Sequence, residues 1–290
     1  MTKVAVTVLS GPGGELAIGD EHPFRIIGER INPTGRSKLT DELKVMDMTT
    51  VQRDALAQVG AGAAVLDLNA GIPGFDEPAM LSAVVKTVHE VVDVPLCLDS
   101  STPEALEAAV PLARGKVLIN SVTAEDHSLE RLLPLVARFG AAVIGMANDE
   151  DGISMDPEVR LAAARNIVEA ASDHGIGRED VIIDPLTMPI GAAGDAATAM
   201  FETIRLIREE LGVNVSCGAS NISFGMPDRQ GIDAAFLTMA AASGMNTAIT
   251  NPLHTPLRSA VLASDLLLGR DAFGAAWIAD HRAKVASVGS

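Results

Sequence analysis

From Phe24 onward one pattern recurs eight times: a short apolar run, a polar or glycine-containing loop, then a helical stretch. The apolar runs occupy residues 24–28, 63–68, 95–98, 116–119, 141–145, 181–183, 213–217 and 247–249. Continuous apolar runs of this length, separated by amphipathic segments, are the signature of parallel strands buried on both faces. Eight strand–helix alternations without a long interruption fit a (β/α)₈ TIM barrel better than a doubly wound sheet. Helices are predicted at 49–59, 77–91, 103–112, 128–138, 157–174, 195–211 and 232–243, and a last one over about 256–268. Thr102-Pro103 and Asp156-Pro157 read as N-cap pairs, and Gly60, Gly140 and Gly212 as stops.

Ahead of the repeat, alternation over residues 3–9, a break at 11–14 and resumption at 15–18 predict a β-hairpin within residues 1–22, placed to plug the barrel's lower end. Residues 271–290 read as a helical tail that becomes disordered at its end. No linker-like stretch interrupts the chain, so one domain over 1–290 is expected.

Composition narrows the function class. A formal charge of -16 and scattered basic residues argue against nucleic acid and anionic membranes. The N-terminal residues lack the pattern of a signal peptide, so none is expected, and no apolar run is long enough for a membrane span. Two cysteines, Cys97 and Cys217, lack C-x-x-C spacing, and a cytoplasmic location is the expectation.

In such a barrel, polar residues at the C-terminal ends of strands face the active site. Here nearly every run ends in one. In order they are Glu29-Arg30-Ile31-Asn32, Asp67-Leu68-Asn69, Asp99-Ser100, Asn120-Ser121, Met146-Ala147-Asn148, Asp184-Pro185, Ser220-Asn221 and Asn251-Pro252. Each alone is more often a helix cap than a ligand. Eight together are hard to explain as caps. Carboxylates and carboxamides predominate, without repeated His, a Cys pair, a phosphate-binding Gly-rich loop or a Gly-x-Ser-x-Gly elbow. No metal site is expected. The set suits a flat heterocycle rich in hydrogen bonds, whose paired donors a carboxylate accepts as a fork.

The segments Gly28-Glu29-Arg30-Ile31-Asn32-Pro33-Thr34-Gly35, Asp67-Leu68-Asn69, Leu98-Asp99-Ser100, Ile119-Asn120-Ser121, Asp184-Pro185 and Ser220-Asn221-Ile222-Ser223 resemble, in order, the motifs of the pterin-binding methyltransferases. That family includes methyltetrahydrofolate:corrinoid protein methyltransferases and the folate domain of cobalamin-dependent methionine synthase. The resemblance covers about residues 24–268. It implies a TIM barrel that moves a methyl group between N5 of tetrahydrofolate and the cobalt of a corrinoid. It also implies pterin ligands at Asp99, Asn120 and Asp184, and a catalytic amide at Asn221 that hydrogen-bonds near N5. Glu29, Asp67, Asn69, Ser220 and Arg229 fall in the surrounding shell. Phe224 departs from the polar residue that the corrinoid-protein enzymes tend to carry and resembles the methionine synthase domain. No Asp-x-His-x-x-Gly cobalt-ligand signature is present, so the cobalamin is expected on a partner corrinoid protein, and the resemblance further implies a homodimer.

Two other readings compete. Dihydropteroate synthase shares the barrel and the pterin edge, but carries Ser-x-Arg-Lys and Arg-x-His segments where this chain has Ser220-Asn221-Ile222-Ser223 and Asn251-Pro252-Leu253-His254. A non-catalytic pterin-binding partner is the alternative outside enzymology.

Overall fold

The computed structural model describes residues 4–288. A two-stranded hairpin, β1 (Thr7–Gly11) and β2 (Gly14–Ile18), precedes the alternation. There follow β3 (Arg25–Ile31), α1 (Ser37–Lys44), α2 (Thr49–Gly60), β4 (Val65–Leu68), α3 (Glu77–Val91), β5 (Leu96–Asp99) and α4 (Pro103–Ala109). The middle of the chain forms β6 (Leu118–Thr123), α5 (Asp126–Phe139), β7 (Ala142–Met146), α6 (Pro157–Asp173), β8 (Val181–Asp184) and α7 (Ala196–Glu210). It ends with β9 (Asn214–Val215), α8 (Arg229–Ala242), β10 (Thr247–Thr250), α9 (Thr255–Leu267) and α10 (Ala275–Val288).

The last eight strands form one parallel sheet in the order β10-β3-β4-β5-β6-β7-β8-β9. Its open edges meet through a parallel bridge between Gly218 and Ile249 and a 2.8 Å bond from the Ile249 N–H to the Cys217 carbonyl. The (β/α)₈ expectation holds.

Inside the barrel Ile27, Val65, Cys97, Leu118, Ile144 and Ile182, one from each of six strands, form a buried apolar layer with Leu9 and Ile18 of the hairpin. The hairpin therefore floors the barrel, as the sequence suggested. Asn214 fastens it: its Nδ2 donates to the Ala5 carbonyl (3.1 Å), Thr7 Oγ1 (2.8 Å) and the Ile18 carbonyl (3.1 Å). Gly115, at φ +135°, lets the chain before β6 close on the hairpin, since a Cβ there would stand 2.3 Å from the Ser10 carbonyl oxygen.

Differences from the sequence reading are local. Helix α1 was not anticipated; its eight residues bury only Leu39 and Leu43, too short a period to read. Gly60 is the last residue of α2 rather than its stop, and Gly62, at φ +99°, turns the chain. Gly140 and Gly212 are left-handed as expected. Thr102 sits at the N-cap of α4, but its hydroxyl donates to Glu77 Oε2 at 2.9 Å instead of capping the helix, whereas Asp156 accepts from the Glu158 N–H. The α4 helix is shorter than predicted, with a 3₁₀ turn over Val110–Leu112. Strand β1 begins at Thr7; residues 1–3 of the predicted hairpin segment and the last two of the tail lie outside the described residues.

Because Leu9 is fully buried under the barrel, Leu9→Ala should cost about 2–5 kcal/mol. Urea unfolding with a midpoint equal to wild type would show that the hairpin does not support the barrel.

Candidate active site

Side chains two residues apart on a strand share a face. The residues two positions beyond the apolar layer therefore project into the barrel above it: Glu29 follows Ile27, Asp67 follows Val65, Asp99 follows Cys97, Asn120 follows Leu118, Met146 follows Ile144 and Asp184 follows Ile182. Above them opens a cavity of about 570 Å³ lined by Asp99, Asn120, Ser121, Met146, Asp184, Leu186, Gly218, Asn221 and Phe224, with Ile249 among its apolar contacts.

Four of the nine sequence-predicted residues thus line one cavity: Asp99, Asn120, Asp184 and Asn221. Asp67 and Asn69 stand one hydrogen bond behind. Asn69 Oδ1 accepts from the Gly71 N–H at 2.9 Å, and since that group can only donate, Nδ2 must turn to Asp99 Oδ2, 3.0 Å away. Asn120 Nδ2 donates to Asp67 Oδ1 at 3.2 Å. Asp99 is thereby left with its other oxygen, and Asn120 with its carbonyl, for a ligand.

Glu29, Ser220 and Arg229 form a separate brace beneath the loop after β9. The Ser220 hydroxyl lies 3.1 and 3.2 Å from the Glu29 carboxylate oxygens. Arg229 donates from Nε to Ser223 Oγ (2.9 Å) and from Nη2 to the Ser220 carbonyl (2.5 Å), with its guanidinium 5.9 Å from the Phe224 ring centroid. Both ends of the turn carrying Asn221 are tied. Its carboxamide makes no hydrogen bond among the described residues and is exposed at the mouth. A Cβ on Gly218 would stand 3.1 Å from Asn221 Nδ2, so the absence of a side chain there gives the amide its room.

Electrostatics are dominated by desolvation, which disfavours the charged form of each acid. Burial pushes the Asp184 carboxyl up to about 6, partly offset by the backbone N–H groups of Leu186 and Gly218 and by Arg160. Leu186 adopts φ +67°, a region costing a non-glycine residue roughly 1–2 kcal/mol, and its N–H reaches Asp184 Oδ1 at 2.7 Å. Burial raises Asp67 strongly, with Asp99 adding to it; burial raises Asp99 against the Asn69 hydrogen bond. Glu29 is raised by burial despite the Ser220 hydroxyl. Two of these raised acids, Asp99 and Asp184, line the cavity, and perturbed acids in a cleft mark a candidate functional site.

Sequence reading gave no sign of Leu186 as a cavity wall, and it did not single out Met146 within the Met146-Ala147-Asn148 strand end. The two-residue period running from Ile144 would have pointed to Met146 in place of Asn148, which does not line the cavity. Leu186 depends on a left-handed backbone that no residue type announced.

A family model for pterin binding enzymes matches residues 28–251. The chain belongs to the pterin binding enzyme family. A methylcorrinoid:tetrahydrofolate methyltransferase from Eubacterium limosum is 32% identical over 252 residues, 85% of this chain and 92% of that protein. A methionine synthase from Mycobacterium tuberculosis is 29% identical over 78% of this chain, which spans 20% of that much longer protein. Among solved structures, dihydropteroate synthase from Xanthomonas albilineans superposes with TM-score 0.67 at 20% identity, over 91% of this chain and 98% of that one. The Thermus thermophilus enzyme gives 0.64 at 22%, over 90% and 99%. These structures share the fold.

A carboxyl whose folded pKa is raised binds protons more tightly folded than unfolded, so it costs stability as pH rises from its unfolded value to its folded one. For Asp184 that window runs from about 3.8 to about 6. Asp184→Asn keeps an acceptor for Leu186 and removes the charge. It should match wild type below pH 4 and be more stable above pH 6, by about 1–3 kcal/mol. Urea midpoints differing equally at pH 4 and pH 8 would contradict this.

Proposed function

We propose that this protein is a methyltransferase that moves a methyl group between N5 of tetrahydrofolate and the cobalt of a corrinoid carried by a partner protein. The observation that carries this reading is the convergence of Asp99, Asn120, Asp184 and Asn221 on one cavity, a carboxylate and carboxamide set matched to the donor and acceptor edge of a pterin. The Eubacterium limosum relative, named for transfer between a methylcorrinoid and tetrahydrofolate, supports the reaction class.

In this reading Asp184, ionised, accepts from the 2-amino and N3 donors of the pterin as a fork. Asp99 and Asn120, held by Asn69 and Asp67, contact the remaining ring edge. Asn221, with a free amide, hydrogen-bonds the N5 region. A tertiary amine leaves poorly unless positive character at N5 is stabilised as its bond to methyl breaks, so a donor that binds better in the transition state accelerates the step. The corrinoid, when docked, supplies the cobalt that accepts or gives the methyl group.

Exposed Phe75, Ile153, Phe224, Met226 and Leu253 all lie on loops that follow strand C-termini, so the mouth carries apolar groups for a partner's face. Exposed Leu267, Phe273 and Trp277 lie on and beside the outer helices α9 and α10. Pairing through the barrel's outside would form a homodimer with both mouths free. No helix among the described residues is long and apolar enough to cross a membrane.

Dihydropteroate synthase chemistry is the weaker reading. The loop after β10 offers Asn251 and His254 bonded to each other at 3.1 Å, in place of an Arg-x-His pair.

Removing Asp184 leaves two pterin donors unpaired at about 1–3 kcal/mol each. Calorimetric titration of Asp184→Ala with 5-methyltetrahydrofolate should therefore show affinity at least about tenfold weaker; unchanged affinity would remove this residue from the site. Asn221→Ala should slow single-turnover methyl transfer, followed by the cobalt spectrum, by roughly 10²- to 10³-fold while pterin affinity changes far less. Equal losses in rate and affinity would make Asn221 an ordinary binding residue.

A further inference from the structure

Arg160, in the first turn of α6, is the largest side chain that the fold takes wholly out of water, at 1% exposure. A buried guanidinium is costly unless an anion accompanies it. Arg208, the other buried arginine among the described residues, has Asp20. Arg160 has no carboxylate at ion-pair distance there. Its Nε donates to the Ser154 carbonyl at 2.6 Å, Nη2 lies 3.5 Å from Met155 Sδ, and Nη1 is buried without a partner. Asp156, one turn earlier, accepts from the Glu158 N–H at 2.9 Å instead.

The counter-charge lies across the strand ends. Helix α6 starts beyond the end of β7 and packs on β7 and β8, so its first turn is level with the C-terminal end of β8, where Asp184 stands. Asp184 is the charge that acts on Arg160, and Arg160 in turn favours the ionised form of Asp184. The other groups acting at Asp184 are the Leu186 and Gly218 N–H groups and the Cys217 thiol, which burial keeps neutral. The same guanidinium anchors the loop between β7 and α6. At its start the Ala147 N–H donates to the Asp184 carbonyl at 2.9 Å; at its end Ser154 and Met155 rest on Arg160. Between these ties Ile153 forms part of the cavity wall.

We propose that Arg160 is a positioning residue for the cavity: clamped beneath the β7–α6 loop, it is the buried counter-charge of the Asp184 carboxylate and acts on the ligand through that carboxylate. The inference rests on the pterin reading and deepens it, since an ionised carboxylate accepts a paired donor edge with both oxygens whereas a carboxylic acid does not. Arginine suits the place because it stays charged when buried, so the charge state of the pair follows Asp184 alone.

The test follows the Asp184 carboxyl carbon by NMR across pH in ligand-free wild type, Arg160→Gln and Arg160→Lys, with Asp184→Asn to identify the signal. Wild type should titrate at about 6. Arg160→Gln should titrate about one pH unit higher, the low end for loss of an opposite charge. Arg160→Lys keeps the charge and should stay close to wild type. Calorimetry with 5-methyltetrahydrofolate should then show Arg160→Gln binding roughly fivefold more weakly at pH 6, the loss of ionised Asp184 that such a rise entails, and close to wild type at pH 8. An Asp184 midpoint unchanged in Arg160→Gln would overturn the assignment. So would a midpoint raised by a full unit in Arg160→Lys, which decides the matter alone should Arg160→Gln not fold. Equal affinity losses at both pH values would also overturn it, making Arg160 a support of the loop only. Wild type that binds no folate would overturn the pterin reading, and the carboxyl titration, made without ligand, would still decide the Arg160–Asp184 pair.

Discussion

Acidic groups held out of water at the top of a closed barrel are the constraint on which the rest of this structure depends. A carboxylate stripped of solvent favours its neutral form, and only fixed donors can offset that. Here the donors are few: Asn69 on Asp99, Asn120 on Asp67, backbone N–H groups on Asp184 and a serine hydroxyl on Glu29. All four carboxyls are raised. A ligand presenting paired donors would complete what the protein leaves incomplete. The free protein tolerates this arrangement at some cost in stability above the acids' ordinary range.

That cost can be borne because what lies beneath is well satisfied. The hairpin fills the lower barrel with Leu9 and Ile18, Asn214 ties it through three hydrogen bonds, and the apolar layer above seals the interior. The polar layer is the same set of strands continued by two residues. Where β3 loses register between Gly28 and Ile31, Gln58 Oε1 takes the Arg30 N–H at 2.8 Å, so the irregularity beside Glu29 leaves that donor satisfied. Rigid strands position the groups proposed to face the pterin, while the amide proposed to act on N5 sits on a loop, braced on both sides by Ser220 and Arg229.

Much of this was legible in the chain because parallel strands buried on both faces are written as uninterrupted apolar runs, and because the helix α3 carries a clear period over Glu77–Val91. The eight polar strand ends announced where chemistry gathers. They did not tell which side chain faces the cavity and which ties a loop: Ser100 and Thr102 both donate to Glu77, and Asn251 Oδ1 accepts from the Leu253 N–H at 3.1 Å, local duties that look the same in sequence as ligand binding. Short elements escaped for want of a period, as with α1, and β9 shrank to Asn214–Val215 although its apolar run extends to Cys217.

The central claim is that a pterin binds by ionising Asp184, which the free protein holds partly protonated near pH 6. It is tested most directly by calorimetric titration of the wild-type protein with 5-methyltetrahydrofolate at pH 6, near the value of about 6 to which burial raises Asp184, in buffers of differing ionisation enthalpy. The account predicts saturable binding with net release of protons to the buffer, fading as the pH is raised to 8. Binding without proton release at pH 6, or no binding at all, would contradict it.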